Sequence, residues 1–163
     1  MKIVSKKRRR EKKTNYLRRK RLLESNKPRI IIRKTNKYII LQYIESKFAQ
    51  DKILYTTNSK DLIRYGWPKD KQGSLKNLGA SYLSGVLFGQ ILKKNKQNKE
   101  VILDIGLIRS TSGSRVYAAL KGVIDSGIKI NADKKMFPDE KRIQSEKVKD
   151  FFDQVKNKIM EVK

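Results

Sequence analysis

The sequence has no cysteine and no histidine, and acidic residues are few beside its many lysines and arginines. The absence of cysteine excludes disulfides and thiolate metal sites. The absence of histidine removes the commonest general base and the commonest zinc ligand. These absences count against secreted disulfide scaffolds, zinc proteins and most acid–base enzymes. They predict a protein of the reducing cytoplasm that uses no cofactor.

Long apolar runs are also missing from the sequence. The longest, residues 38–41, is far too short to span a bilayer. No apolar segment follows the basic first residues, as a secretory signal would require, and neither end carries a lipidation motif. We therefore expect no membrane contact.

Positive charge is what the chain has in excess: 41 Lys and Arg against 16 Asp and Glu give a formal net charge of +25 over 163 residues. Self-repulsion of this kind opposes compaction unless a polyanion compensates for it. The phosphate backbone of a nucleic acid is the commonest polyanion in a cell. The length suits one domain with extensions. The composition therefore predicts a nucleic-acid-binding protein with no small-molecule substrate.

Residues 1–27 form a block that is too basic and too poor in apolar residues to fold alone. Glu11 is its single acid before Arg21. We expect this arm to order on a partner, with a short helix over about residues 14–25. The alternative is a solvated tail or a localisation signal. The candidate RNA-binding cations of the arm are Lys6, Arg8, Arg9, Arg10, Lys13, Arg18, Arg19 and Arg21.

Two β-branched runs follow, at residues 29–34 and 37–44, and Thr35-Asn36 separates them. Asn tolerates the positive φ of a two-residue turn, so the runs predict a β-hairpin. In the register set by that turn, Lys34 opposes Lys37 and Arg33 opposes Tyr38. One face then carries Ile30, Ile32, Ile39, Leu41 and Tyr43, and the other carries Arg29, Ile31, Arg33, Tyr38, Ile40 and Gln42.

The two faces of the predicted hairpin differ in chemistry. The first is uniformly apolar and should pack on helices. The second mixes guanidinium, phenol and amide groups with two isoleucines that we expect to be exposed. Such a surface suits RNA, because arginine pairs with phosphate and planar groups stack on bases. The alternative is an ordinary solvated sheet face.

The remaining pattern predicts an α/β fold with a mixed sheet, in which the hairpin and a third strand are antiparallel. Further expected elements are that third strand at residues 52–57, a short helix Ser59–Tyr65 capped by Ser59, a long helix from Ser74 to about Lys94, a strand at 101–104, a helix over about 113–126 and a final helix from Pro138 through Ile159. The long helix is expected to cross over into a central strand, and its glycines to allow close approach to the sheet. Helices should pack on one face of that sheet. We expect a basic arm at 1–27, an α/β domain at 28–130 and a C-terminal helical extension at 131–163.

Several short motifs, in this order along the chain, resemble the archaeal and eukaryotic form of the large-subunit ribosomal protein eighteen family. They are KTNY (13–16), KPR (27–29), RKTNKYI (33–39), YGW (65–67), ASYLSG (80–85), LDIGL (103–107) and GSRVYAALKG (113–122). Each motif alone is weak, but the ordered set is specific. The likeness extends from about Lys12 to Ile143, which is most of the chain.

The resemblance implies a protein that binds 5S ribosomal RNA and helps to dock it on the large ribosomal subunit at the central protuberance. Its implied partners are 5S rRNA, large-subunit rRNA and neighbouring ribosomal proteins in the cytoplasm. Family members use the basic arm and one sheet face on the RNA. By this likeness, RNA contact is assigned to Asn15, Tyr16, Arg18, Arg29, Arg33, Thr35, Asn36, Lys37 and Gln42. Lys34 and Tyr38, on the same hairpin, complete the candidate set.

Two other classes of protein could carry this composition. A nuclease could hold Mg²⁺ with Asp51, Asp104 and Asp125, since Mg²⁺ prefers oxygen ligands, but no histidine and no clustered carboxylate pair supports it. A non-ribosomal RNA chaperone or DNA-packaging protein would need the charge but not an ordered hairpin face. Trp67 could stack on a base, but in Gly-Trp-Pro it is expected to pack on its own domain. The sequence favours assembly without catalysis.

Overall fold

A four-stranded mixed sheet lies at the centre of the computed structural model, which describes residues 6–97 and 99–161. The strands are β1 (Arg29–Lys34), β2 (Ile39–Lys47), β3 (Gln50–Asn58) and β4 (Ile102–Asp104), in the order β3-β2-β1-β4. β2 is antiparallel to both β1 and β3, whereas β4 is parallel to β1. The predicted mixed α/β fold is confirmed. The prediction of a central fourth strand is wrong, because β4 lies at the edge of the sheet.

Helices precede, connect and follow the strands of the sheet along the chain. They are α1 (Lys7–Arg10), α2 (Tyr16–Glu24), α3 (Leu78–Lys94), α4 (Arg115–Asp125), α5 (Glu140–Ile143) and α6 (Glu146–Met160), with 3₁₀ turns at Ser59–Tyr65, Lys69–Ser74 and Lys134–Met136. The predicted final helix is therefore two helices, α5 and α6. Residues 1–5 of the predicted arm and 162–163 of the predicted extension lie outside the described residues.

Two helix starts differ from the prediction because neighbouring asparagines make the caps. The side chain of Asn77, not Ser74, accepts from the Ala80 N–H at 2.7 Å, so α3 begins at Leu78. Asn58, not Ser59, caps the Ser59–Tyr65 turn. The Ser59 hydroxyl is buried and instead accepts from the Ile39 N–H at 3.1 Å, which fastens the turn to β2.

The hairpin register also differs from the prediction, by two residues. Lys34 pairs with Ile39 and Arg33 with Ile40. The reason is Thr35, whose N–H donates to the Tyr38 carbonyl and whose hydroxyl accepts from the Tyr38 N–H, both at 2.9 Å. Thr35 therefore closes the turn instead of lying within it. Since the side-chain period of a strand is two, the residues of β1 and β2 keep their predicted faces, whereas Tyr38 lies before the start of β2.

The apolar face of the sheet packs on α3 and α4, as predicted. Ile30, Ile32, Ile39, Leu41 and Tyr43 form one cluster with Phe88 and Leu92 of α3 and with Val116, Leu120 and Val123 of α4. A second cluster joins α3 to α6 and to the Ser59–Tyr65 turn. Trp67 belongs to this second cluster, is 1% exposed and packs edge-on against Phe151, so it has no face free for a base.

The glycines of α3 serve a helix–helix contact and not the predicted approach to the sheet. A Cβ placed on Gly85 would overlap the Ala119 carbonyl of α4, and one placed on Gly122 would overlap the Tyr82 carbonyl of α3. The two backbones therefore touch where these glycines face each other. Close packing of this kind offsets the helical cost of glycine, roughly 0.5–1 kcal/mol each.

Candidate nucleic-acid interface

The sheet face turned away from α3 and α4 is only partly open. Ile31 is 8% exposed and Ile40 is half-buried, so the prediction of two exposed isoleucines is wrong. Tyr38 lies beyond the strand end and packs against the second apolar cluster instead of opposing Arg33. Of the residues predicted on this face, Arg33 and Gln42 therefore remain as partly exposed polar groups.

Arg29 lies at the centre of a buried ion-pair network on this face. Its side chain is 1% exposed, and it donates to Asp51 Oδ1 at 2.6 Å, to Asp104 Oδ2 at 3.3 Å and to the Ser46 hydroxyl at 2.9 Å. A guanidinium enclosed in this way has no free donor surface for a phosphate. In this structure Arg29 is a positioning residue that joins β1, β3 and the end of β4, and not the surface contact that the sequence suggested.

Asp104 fixes a second arginine at the edge of the network. Arg33 donates from Nη1 to the Asp104 carbonyl oxygen at 2.9 Å and from Nη2 to Asp104 Oδ1 at 3.4 Å. The same carboxylate accepts from the Gly106 N–H at 2.7 Å. Gly106 has a φ of +61°, and a Cβ there would overlap the Arg33 guanidinium. Because 37% of the Arg33 side chain stays exposed, it presents an oriented charge to solvent.

Asp51 attaches the basic helix α2 to the sheet. Arg19 donates from Nη1 to Asp51 Oδ2 at 2.9 Å and from Nη2 to the Ala49 carbonyl at 3.2 Å. One residue earlier, Arg18 donates to the Gly106 carbonyl at 3.0 Å. We expected the arm to order on a partner, but α2 is already docked on its own domain. The partner therefore meets a surface in which helix and sheet are held together.

The electrostatics of Asp51 follow from these contacts. Partial burial alone raises the pKa of its carboxyl, but hydrogen bonds from Arg19 and Ser46 and the charges of Arg29 and Arg19 outweigh burial. The pKa is therefore held below its ordinary value. The charged form of Asp51 is thus favoured in the folded protein.

This shift predicts a difference in acid stability between the wild type and Asp51→Asn. A lowered folded-state pKa contributes stability above the unfolded value of about 3.9 and loses it as pH falls through the folded value. The wild-type free energy of unfolding should therefore drop more steeply below about pH 4 than that of Asp51→Asn. Urea unfolding at a series of pH values measures this. Parallel curves would contradict the contribution assigned to Asp51.

A groove of about 550 Å³ runs between the arm and the sheet, and six cationic side chains are among the residues that line it. The arm contributes Arg8, Lys13, Arg18 and Arg19, and β1 contributes Arg33 and Lys34. Asp104 is the acidic residue among the described lining side chains, and it is already paired with Arg29 and Arg33. The groove brings the two predicted binding elements, arm and sheet, into one positively charged surface.

The predicted site residues divide by exposure into three groups. The exposed group is Lys6, Arg8, Arg9, Arg10, Lys13, Asn15, Arg18, Arg21, Lys34, Thr35, Asn36 and Lys37; the half-buried group is Tyr16, Arg19, Arg33, Tyr38 and Gln42; Arg29 is buried. Asn15 has a structural role, because its side chain accepts from the Arg18 N–H at 3.0 Å and caps α2. The 35–38 turn is fastened from outside, since Lys76 Nζ donates to the Asn36 carbonyl at 2.8 Å.

The carboxylates of the nuclease alternative have other roles. Asp51 and Asp104 flank Arg29, while Asp125 accepts from the Tyr82 hydroxyl at 2.9 Å. Within residues 6–97 and 99–161, no three potential ligand side chains are grouped so that they could hold a metal ion. Sequence reasoning missed the organising role of Asp51 and Asp104. The one available signal was that both are acids in an otherwise strongly basic chain.

No helix in the described part of the chain combines the length and the apolar character needed to cross a bilayer.

Comparison with known proteins gives a consistent similarity. The family model described as ribosomal large subunit proteins 60S L5 and 50S L18 matches residues 2–101 and 89–133.

Curated relatives cover most of the chain as well. The large ribosomal subunit protein uL18 of Korarchaeum cryptofilum is 48% identical over 144 residues, which is 88% of this chain and 71% of that protein. The uL18 of Methanothrix thermoacetophila is 46% identical, covering 88% of this chain and 82% of the relative. The uL18 of Methanococcoides burtonii is 39% identical over 96% of this chain and 93% of its own length.

Proposed function

Because the chain belongs to the family of ribosomal large subunit proteins 60S L5 and 50S L18, we propose that it binds 5S rRNA and helps to attach it to the large subunit at the central protuberance. Family membership makes it a structural constituent of the large ribosomal subunit in the cytoplasm, and not an enzyme. Ribosomal RNA and neighbouring ribosomal proteins are its partners. The proposal adds the identity of the RNA and the surface that holds it.

The observation that carries the proposal is the cation-lined groove where α2 is docked beside β1. Phosphate contacts supply most of the affinity for RNA and fix its register. A flexible basic tail would bind many RNAs equally, whereas a groove with fixed walls discriminates by shape. Because Arg19 and Arg18 hold α2 against the folded domain, the groove can select a folded RNA of defined outline.

Roles within this surface follow from exposure. The exposed arm cations contact phosphates, and the exposed edge of Arg33, together with Lys34, Gln42 and residues 35–37, contacts the RNA from the sheet. Arg29, Asp51 and Asp104 act through other residues, since they orient Arg33 and α2. Base edges in single-stranded loops and bulges are the parts of RNA that such a polar surface reads.

The domain division is part of the same proposal, with a basic arm at 1–27, an RNA-binding α/β domain at 28–130 and an extension at 131–163. The apolar side of α6 supports the extension's place in the fold. Phe151, Phe152, Val155 and Ile159 are buried in the cluster shared with α3. The opposite side of α6 remains available to a ribosomal neighbour.

Replacing Arg33 should cost more selectivity than replacing Lys7. Arg33 is held in place by Asp104, so Arg33→Ala removes an oriented contact and should lower affinity for 5S rRNA more than for an unrelated structured RNA. Lys7 is exposed on α1, so Lys7→Ala should lower both affinities alike. Filter binding or fluorescence anisotropy with both RNAs measures the ratio. Equal losses for Arg33→Ala would count against the sheet as a selective element.

Competition between RNAs tests the function itself. At physiological salt, unlabelled 5S rRNA should displace labelled 5S rRNA from the full chain at a far lower concentration than an unrelated duplex of equal length. A non-ribosomal RNA chaperone would show similar competition by both RNAs, and that result would refute the proposed preference.

A further inference from the structure

In the turn between β2 and β3, an aromatic residue adopts an unfavourable backbone conformation. Lys47 pairs with Gln50, so the turn has two central residues, Phe48 and Ala49, and their φ angles are +50° and +63°. Two-residue turns with positive φ at both positions strongly favour Asn-Gly or Gly-Gly. A bulky side chain with positive φ is a conformational outlier, and such strain concentrates at functional sites.

The Phe48 side chain is not buried in the protein core. It is fully exposed, at 102% of its reference area, whereas the neighbouring aromatic residues of the sheet, Tyr43 and Tyr55, pack together. Single exposed apolar residues are ordinary on protein surfaces. A phenylalanine that is both fully exposed and held at positive φ is a different case, because both features disfavour it in the isolated protein.

The turn is fastened to the basic arm. Arg19 of α2 donates to the Ala49 carbonyl at 3.2 Å, and the same guanidinium pairs with Asp51, two residues further along. The backbone next to Phe48 is therefore held beside α2. The side chains of Lys47 and Lys52 are exposed on either side of the turn, and the nearby acids are paired, Asp51 with Arg29 and Glu45 with Lys99.

We propose that Phe48 is an RNA-contacting residue that stacks on an unpaired base of the ribosomal RNA bound by the arm. An aromatic face among phosphate-binding cations is the combination that recognises single-stranded nucleotides, since the cations hold the backbone and the ring stacks on the base. An apolar pocket of a neighbouring protein could also accept a phenyl ring, but the positive surroundings favour RNA. The inference rests on the proposed function for the presence of RNA at the arm, and it adds a contact point there.

Four variants of the full chain test the stacking. Phe48→Ala should weaken binding to 5S rRNA roughly 5- to 150-fold, the range expected for losing one base–aromatic stack, and Phe48→Leu should also weaken it. Phe48→Tyr keeps a ring and should bind like the wild type. Met160→Ala, which removes an exposed apolar side chain from α6, is the matched control. The slope of log affinity against log salt should stay at the wild-type value, because no charge is lost.

Phe48→Trp supplies a direct spectroscopic readout. Trp67 is buried and contributes a constant background, so the added indole fluorescence should be quenched and shielded from acrylamide when RNA binds. Unquenched fluorescence in a saturated complex, together with wild-type affinity of Phe48→Ala, overturns the proposal. If Phe48→Ala binds RNA with wild-type affinity but is poorly incorporated into large subunits, Phe48 contacts a neighbouring protein. That result would also overturn the proposed RNA contact.

The two proposals can fail separately. If the wild type shows no preference for 5S rRNA, the proposed function fails, and the Phe48→Trp measurement is then made with large-subunit rRNA. Quenching there would uphold the stacking contact on a different RNA, and its absence would overturn that too. If 5S binding is selective but insensitive to Phe48, the stacking contact alone is wrong.

Discussion

Deleting residues 1–21 should weaken binding to 5S rRNA steeply and flatten its dependence on salt. Each neutralised phosphate releases counterions and contributes a slope of roughly −0.7 to −0.9 to log affinity against log salt. The arm supplies four of the cations that line the groove, Arg8, Lys13, Arg18 and Arg19. A loss of several slope units is therefore expected, and anisotropy titrations between about 50 and 200 mM salt measure it.

A charge-matched comparison separates this effect from a general loss of positive charge. Arg8→Gln, Arg9→Gln and Arg10→Gln, combined, change exposed side chains of the arm, and Lys141→Gln, Lys149→Gln and Lys158→Gln, combined, remove equal charge from exposed positions of α5 and α6. The arm set should reduce the slope much more than the control set. An unchanged slope in the arm set would mean that these residues do not bind phosphate.

Arg29→Gln should destabilise the protein by about 3–5 kcal/mol, the cost of removing one partner from a buried ion pair. The change leaves Asp51 and Asp104 facing a neutral side chain in a site where Arg29 was 1% exposed. Urea unfolding followed by circular dichroism measures the loss. Arg21→Gln, on the exposed side of α2, is the control and should stay within about 0.5 kcal/mol of the wild type.

Removing the carboxylate charges of Asp51 and Asp104 as well tests whether the Arg29→Gln loss is electrostatic. Arg29→Met combined with Asp51→Asn and Asp104→Asn removes the charges at the centre of the network. Arg19 and Arg33 lose these carboxylates but remain about one-third exposed to solvent, so the variant should recover part of the stability lost in Arg29→Gln. If the triple variant is as unstable as the sum of its single changes, the loss arises from packing and not from electrostatics.

The hairpin shows what a sequence pattern can and cannot predict. Alternation of polar and apolar residues placed the side chains of β1 and β2 on their correct faces, because face depends only on the period of the strand. Tyr38, which lies before the start of β2, was the exception. The register was wrong because it depends on which residue closes the turn, and Thr35 does so through hydrogen bonds to Tyr38. Local chemistry of one hydroxyl therefore moved the pairing by two residues without changing either face.

The candidate site was predictable in its cations but not in its acids. Lysines and arginines of the arm and hairpin stand out in the sequence, and ordered motifs identified the family. The pairing of Arg29 with Asp104 joins residues 75 positions apart, and that of Arg19 with Asp51 joins residues 32 apart. No local pattern encodes such contacts. Asp51 and Asp104 were therefore read as possible metal ligands, when in the fold they hold arginines in place.

The neighbour contacted by the glycines of α3 also could not be read from the sequence. Small residues at helical spacing predicted a close approach to the sheet, and the neighbour in that prediction was wrong. The fold places Gly85 and Gly122 against each other's helices, so the close contact belongs to α3 and α4. Both helices then present a combined apolar surface to the sheet, which leaves the opposite face free for the arm.

Site-specific photo-crosslinking in assembled large subunits tests most directly whether the arm and sheet hold 5S rRNA. A photoreactive residue in place of Lys37, which is exposed in the turn after β1, should attach to 5S rRNA nucleotides, and one in place of Arg9 in α1 should attach to the same molecule. Recovery of only large-subunit rRNA or only protein at both positions would contradict the assignment of this surface to 5S rRNA.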